Sequence, residues 1–202
     1  VPAASLRLFC NRAPVARRFG LLRAVLLLVL LGGGGARAAA LPEPIPAMVT
    51  QALPEAYLRG QAQMRVWGLR IYHARLWVTP AFDPQAFTAT PLALELRYQR
   101  AFKGAAIAQR SIEEMQRQQP IAAPLAQRWQ AALTAVFPDV QAGERLTGVY
   151  EPHQGLRFWH DQQPLAPIDD AELARRFYAI WLSPQTSAPS LRRALLGEAS
   201  AP

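Results

Sequence analysis

The chain has 202 residues, enough for one domain with a substantial core and too few for several. Its formal net charge of +8 is unevenly spread. Residues 1–40 hold Arg7, Arg12, Arg17, Arg18, Arg23 and Arg37 and no acidic residue, so the remainder carries +2 and has no electrostatic footprint for a nucleic-acid partner.

The first element in chain order is a leader. Arg17, Arg18 and Arg23 supply positive charge, Ala24 to Leu31 is purely apolar, and Gly32 to Gly35 break the run. Ala36-Arg37-Ala38 and Ala38-Ala39-Ala40 each offer a small-x-small cleavage site. That order reads as a cleaved secretory signal over residues 1–40, with a periplasmic product. The apolar run falls short of the about 20 residues a membrane helix needs, so no stable membrane span is expected after cleavage. The one cysteine, Cys10, lies in this leader, which leaves the rest without disulfide, thiolate metal site or cysteine nucleophile.

Residues 41–54 contain Pro42, Pro44, Pro46 and Pro54 and read as an extended lead-in with one short turn. The domain proper spans 55–197, and 198–202 is a tail. Two strands, Tyr57 to Val66 and Leu69 to Val78, flank a Trp67-Gly68 turn. On the second strand, Arg70, Tyr72, Ala74, Leu76 and Val78 share one face by simple alternation. Leu92 to Arg100 alternates most clearly: Leu92, Leu94, Leu96 and Tyr98 point one way, and Ala93, Glu95, Arg97 and Gln99 the other. A period of two implies a sheet with one packed and one solvated face. A helix follows from about Lys103 to Gln118, with Ile107, Ser111, Ile112 and Met115 as its stripe, and a second from Pro124 to Phe137. Arg145 to Tyr150 and Leu156 to His160 form another strand pair, and Asp161 to Pro167 is a loop. A third helix opens on an Asp169/Glu172 capping box and ends at Ser183-Pro184. Pro189 to Leu196 is a last short helix, capped by Gly197. Strands, helices, strands, helices make an α+β domain: an antiparallel sheet with helices over one face.

The residues bearing chemistry are few. His73, His153 and His160 lack metal-pair spacing, no phosphate loop follows a strand, and no cofactor motif is present. Adjacent Glu113 and Glu114 diverge on a helix, so one is a solvated carboxylate and the other a salt-bridge partner. Tyr72 and Tyr98 are more suggestive, with Arg59, Arg70 and Arg100 on neighbouring strands. Buried phenols need hydrogen-bond partners, and an arginine beside them makes a fork able to grip a carboxylate. The alternative is that the tyrosines are amphipathic core residues and the arginines lie on solvated faces.

The stretch Gly68-Leu69-Arg70-Ile71-Tyr72-His73-Ala74-Arg75-Leu76-Trp77 resembles the chalcone isomerase-like superfamily. Tyr98 to Gly104, the Glu113-Glu114-Met115 helix and Phe177 to Gly197 extend the resemblance over about Leu53 to Gly197. It implies an open-faced β-sandwich with a pocket between sheet and helices, no cofactor, and a small-molecule ligand. The family's isomerases cyclise a chalcone using an Arg and a Thr on the first two strands, a Tyr and an Asn on the following helix, and a late Thr or Ser. Here those positions fall on Arg59, Tyr72, near Ile107 and Glu114, and near Gln162 or Gln163, so the donors that would stabilise an enolate are largely absent. The fatty-acid-binding branch holds a carboxylate with a first-strand Arg and a second-strand Tyr, which implies Arg59 and Tyr72, with Arg70 as the substitute. The ligand-binding expectation is therefore Arg59, Arg70, Tyr72 and Tyr98, in a non-catalytic binder of a fatty acid or similar small carboxylate. An isomerase or intramolecular lyase acting on a phenolic or enone substrate is the runner-up; it would need a phenol of lowered pKa, such as Tyr98 beside Arg100 or Lys103. An envelope partner-binding protein comes third, and its mark would be a collapsed pocket and an apolar surface patch.

Overall fold

Residues 44–198 are described by the computed structural model, and the leader expected over residues 1–40 lies outside them. Six strands pair antiparallel in chain order: β1 (Tyr57–Val66), β2 (Leu69–Val78), β3 (Leu92–Tyr98), β4 (Arg145–Glu151), β5 (Gly155–His160) and β6 (Gln163–Pro164). The alternation read from β3 holds. Leu92, Leu94, Leu96 and Tyr98 are buried in one core with Ala74, Leu76 and Val78 of β2. Covering that face are α2 (Gly104–Gln118), α3 (Ala123–Val136), α4 (Ala171–Leu182) and α5 (Pro189–Leu195). The architecture is α+β, an open-faced sandwich of antiparallel sheet and helices.

The opposite face is not simply solvated. The proline-rich lead-in folds into a helix, α1 (Ala47–Ala52), whose first turn is closed by Val49 and Thr50 amides donating to the Pro46 carbonyl. Met48, Val49 and Leu53 bury themselves against Trp77, Ala93 and Val149 of the sheet. Prolines end just before the helix and resume after it, so the segment loses no intrahelical donor. Glu95, on the same face, is 1 % exposed and takes two hydrogen bonds from Arg75, at 3.0 and 2.7 Å.

Two local readings shift. The Asp169/Glu172 capping box does not form, because Ile168 pairs with Leu156 in the sheet and holds Asp169 outside the helix. Asp170 caps α4 instead: its Oδ1 accepts the Leu173 amide at 2.9 Å and its Oδ2 accepts Trp129 Nε1 of α3 at 2.7 Å. Glu172 grips Arg175 and Arg176. The expected loop from Asp161 to Pro167 contains β6, which returns along β5 through Trp159 and His160.

Gly60 lets α5 lie directly on β1. A Cβ there would stand 2.2 Å from the Ala194 carbonyl oxygen and 2.5 Å from that of Leu195, both backbone atoms that cannot swing aside. Gly60→Ala is therefore expected to destabilise the fold by about 1–3 kcal/mol, the usual range for overpacking, read as a lowered urea midpoint. An unchanged midpoint would mean that α5 does not rest on β1 at this position.

Candidate functional site

Between the sheet and the helix layer lies a cavity of about 610 Å³, inside the range of roughly 300–1,000 Å³ typical of small-molecule sites. Its sheet wall is built from Met64 and Val66 of β1, Tyr72 of β2, Leu94, Leu96 and Tyr98 of β3, and Gly148 of β4. The helix wall comes from Ile107, Arg110, Ser111 and Glu114 of α2, Phe177, Tyr178 and Trp181 of α4, and Leu191 of α5. Most of this surface is apolar, as a packed face of alternating strand residues must be.

The polar groups are specific. Tyr72 stands on β2 opposite Met64 and Tyr98, and its ring meets that of Tyr98 edge-on at 6.0 Å. Its hydroxyl oxygen accepts Trp181 Nε1 from α4 at 3.0 Å. An indole can only donate, so the phenol's own hydrogen remains available to an acceptor. Burial pushes the Tyr72 pKa up to about 12; the Trp181 hydrogen bond opposes that rise, while Glu114 adds to it and Arg110 subtracts. Burial also raises Tyr98 well above the ordinary tyrosine range, with Tyr72 adding to the shift. Tyr178 is likewise raised by burial, and its buried hydroxyl has no hydrogen-bond partner. Room for that hydroxyl comes from Gly148: a Cβ there would lie 2.6 Å from Tyr178 Oη and 2.9 Å from the Phe158 ring.

One charged cluster reaches the cavity, and it sits on α2. Glu114 is 6 % exposed, is bonded by Arg110 one turn earlier, and lies 3.4 Å from Arg117 one turn later. Glu113 points away and stays half-exposed against Arg110. The division of that adjacent pair into one solvated and one paired carboxylate follows from the 100° step of the helix. Arg110 and Glu114 are the pocket residues that alternation could not reveal; the signal available was the i, i+4 Arg–Glu spacing on a stripe with Ile107 and Ser111.

Tyr72 and Tyr98 are brought together as expected, but Arg59 and Arg70 do not join them. Two β-bulges explain both departures. Leu58 pairs with Trp77 and Gly60 with Leu76, so Arg59 is the extra, unpaired residue of β1. Its Nε is buried without a hydrogen-bond partner, close to Gly197 beyond α5. It also stands five residues from the Met64 partner of Tyr72, about 17 Å along the strand. Met64 pairs with Tyr72 and Arg65 with Arg70, which makes Ile71 the second bulge. Ile71 and Tyr72 both line the cavity, and alternation resumes one residue out of step, carrying Arg70 away from it. Gln63 closes this distortion, donating to the carbonyls of Met64 and Tyr72 at 3.0 and 2.7 Å. Lys103 pairs with Asp139 at 2.6 Å instead of attending Tyr98.

Among the described residues, no group of three His, Cys, Asp or Glu side chains could hold a metal ion, and no helix is long and apolar enough to cross a membrane.

Comparison with known proteins agrees with this geometry. No curated protein matches the chain. Among solved structures, 37 chains match it, and one is a fatty-acid binding protein of Arabidopsis thaliana. That structure superimposes with a TM-score of 0.52 at 8 % identity, over 71 % of this chain and 87 % of the other. At such identity the likeness speaks for the fold alone. The family model for chalcone isomerase-like proteins matches residues 45–197, the whole domain from α1 to the end of α5, and the chain belongs to that family.

Proposed function

We propose that the protein is a non-catalytic binder of a fatty acid or a similar small carboxylate, held between sheet and helices, and that its N-terminal leader exports it to the periplasm. The observation that carries this reading is the cavity itself: about 610 Å³ of mostly apolar wall with one oriented, protonated phenol at Tyr72. An acyl chain matches the apolar wall, and its carboxylate needs a charged partner plus a neutral donor to remain ionised away from water. Tyr72 is the donor. Arg110 is the cation, the one arginine among the described residues that line the cavity; it also serves Glu113 and Glu114, so a bound carboxylate shares its guanidinium with them. The fatty-acid binding protein with the same fold supports the ligand class.

An acid–base role for a cavity phenol is disfavoured. It requires a lowered pKa, and burial raises both Tyr72 and Tyr98.

Native mass spectrometry of the chain recovered from expressing cells is expected to show a retained acyl-chain mass. Tyr72→Phe and Arg110→Ala should each weaken uptake of a long-chain fatty acid by roughly 10- to 100-fold, the loss of a hydrogen bond to a charged group. Arg59→Ala, outside the wall, should leave uptake unchanged. An empty protein that also takes up no added fatty acid would overturn the reading.

The protonated donor has its own signature in alkali. A phenol that holds its proton more tightly in the folded chain than in the unfolded one stabilises the fold fully below pH 10, and loses that contribution as pH climbs through about 12. Urea stability of the unliganded chain should therefore fall between pH 10 and 12, and less steeply in Tyr72→Phe. Equal slopes in the two proteins would show that Tyr72 titrates like a free tyrosine.

A further inference from the structure

The tip of the β1–β2 hairpin breaks local rules that the rest of the domain keeps. Trp67 and Gly68 form its turn with φ of 48° and 79°. Turns of this kind favour Asn, Asp or Gly at the first position, and a bulky residue there is strained. Trp67 is nevertheless 97 % exposed, so no packing within the described residues compensates for it. Val66 and Leu69, on either side, are 39 % and 50 % exposed. Immediately behind them Arg65 and Arg70 stand directly opposite each other across the strands, a like-charge pairing that destabilises a hairpin. Among the described residues neither has an acidic partner, and no acidic residue occurs in the sequence between Glu55 and Asp83. Val66 and Trp67 also line the cavity, so this tip is part of its rim.

We infer that the Val66-Trp67-Gly68-Leu69 tip is a membrane-docking element that inserts into an anionic phospholipid surface, with Arg65 and Arg70 at the level of the phosphates. Tryptophan favours the bilayer interface, where its ring is apolar and its N–H stays wet. Arginines buried to their stems keep their charge among lipid headgroups, and each adds attraction to an anionic leaflet. The like-charge pair, unfavourable in water, becomes favourable against phosphate. The inference rests on the acyl-ligand reading for its purpose, delivery of an apolar ligand at the rim, but not for its geometry.

The test uses the tip's own fluorophore. Of the five tryptophans, Trp67 alone is exposed; Trp77, Trp129 and Trp181 are at most 7 % exposed and Trp159 is half-buried. Quenching of the full chain by aqueous iodide therefore reports on Trp67, with Trp67→Phe as the blank. Equimolar phosphatidylglycerol and phosphatidylcholine vesicles carrying brominated acyl chains should protect Trp67 from iodide, shift its emission to the blue and quench it from the lipid side. High salt, or the double variant R65Q and R70Q, should reduce that response.

A vesicle-bound chain whose Trp67 stays open to iodide would overturn the inference, as would equal insertion into purely neutral vesicles. Protection of Trp67 that grows with protein concentration in the absence of vesicles would also overturn it, assigning the tip to a second copy of the chain. Acyl retention is scored separately by native mass spectrometry. Insertion with an empty pocket leaves the docking inference standing and removes the ligand reading; a loaded pocket without insertion does the reverse.

Discussion

The hydrogen bond from Trp181 to Tyr72 joins the two layers of this protein at the cavity. Beside the longer-range charges of Glu114 and Arg110, the other contacts given between sheet and helices there, among the described residues, are dispersion and ring-edge contact, which set distance but not orientation. The Trp181 ring is held 5.3 Å from Phe177, and the Tyr72 ring 6.0 Å from Tyr98. These aromatic frames fix the indole and phenol so that one donor finds one acceptor across the interface. Each group alone would be a polar atom on an apolar wall and would carry a desolvation cost; together they satisfy each other and leave one hydrogen to spare. That surplus donor is what separates a binding site from an ordinary packing void.

A protein core normally closes such a space, because every unfilled volume forfeits contact energy. Here the wall resists collapse for identifiable reasons. Gly148 concedes its side chain so that Tyr178 of the helix wall and Phe158 can pack against the sheet at this point, and Tyr178 keeps an unpartnered hydroxyl in return. Glu114 is buried at the helix wall by two arginines that are themselves mostly in water, so the charge is neutralised without drawing the helix onto the sheet. A paired carboxylate and an unpartnered hydroxyl at the wall cost stability that a fully apolar filling would not, the departure from ideal packing expected where a wall serves function.

Most of the fold was legible because its signals are periodic. The strands β1 to β5 and the stripes of α2 and α4 follow periods that any register preserves. The site was half legible. Tyr72 and Tyr98 could be placed on one face because they stand opposite each other in an unbroken stretch of β2 and β3. Arg59 and Arg70 could not, because a bulge consumes one residue and inverts every face assignment beyond it. No composition signal marks Arg59 or Ile71 as the unpaired residue. Asp170 displaced Asp169 as the helix cap for a related reason: a tertiary strand contact at Ile168 moved the boundary by one. Helix α1 was hidden by the prolines around it, which argue for extended chain unless a hydrophobic surface is waiting to be covered.

Apart from the Arg59 bulge, which faces Leu76 and Trp77 at the far end of β2, the departures from ideality in the β1–β2 hairpin gather at its tip. The bulge at Ile71, the strained Trp67 and the facing Arg65 and Arg70 lie within a few residues of one another, while the opposite end of β2 is buried and regular. Each feature alone costs stability, offset only in part by Arg65 Nη1 donating to the Gly68 carbonyl of the turn at 3.4 Å. They converge geometrically, however: the bulge turns Ile71 and Tyr72 together into the cavity, turns Arg70 away from it, and leaves the hairpin tip apolar at the rim. A chain selected only for stability would straighten this strand and replace the tryptophan with asparagine. The docking inference accounts for this form: a bare indole, aliphatic neighbours and two guanidinium groups side by side are the chemistry of a lipid–water boundary.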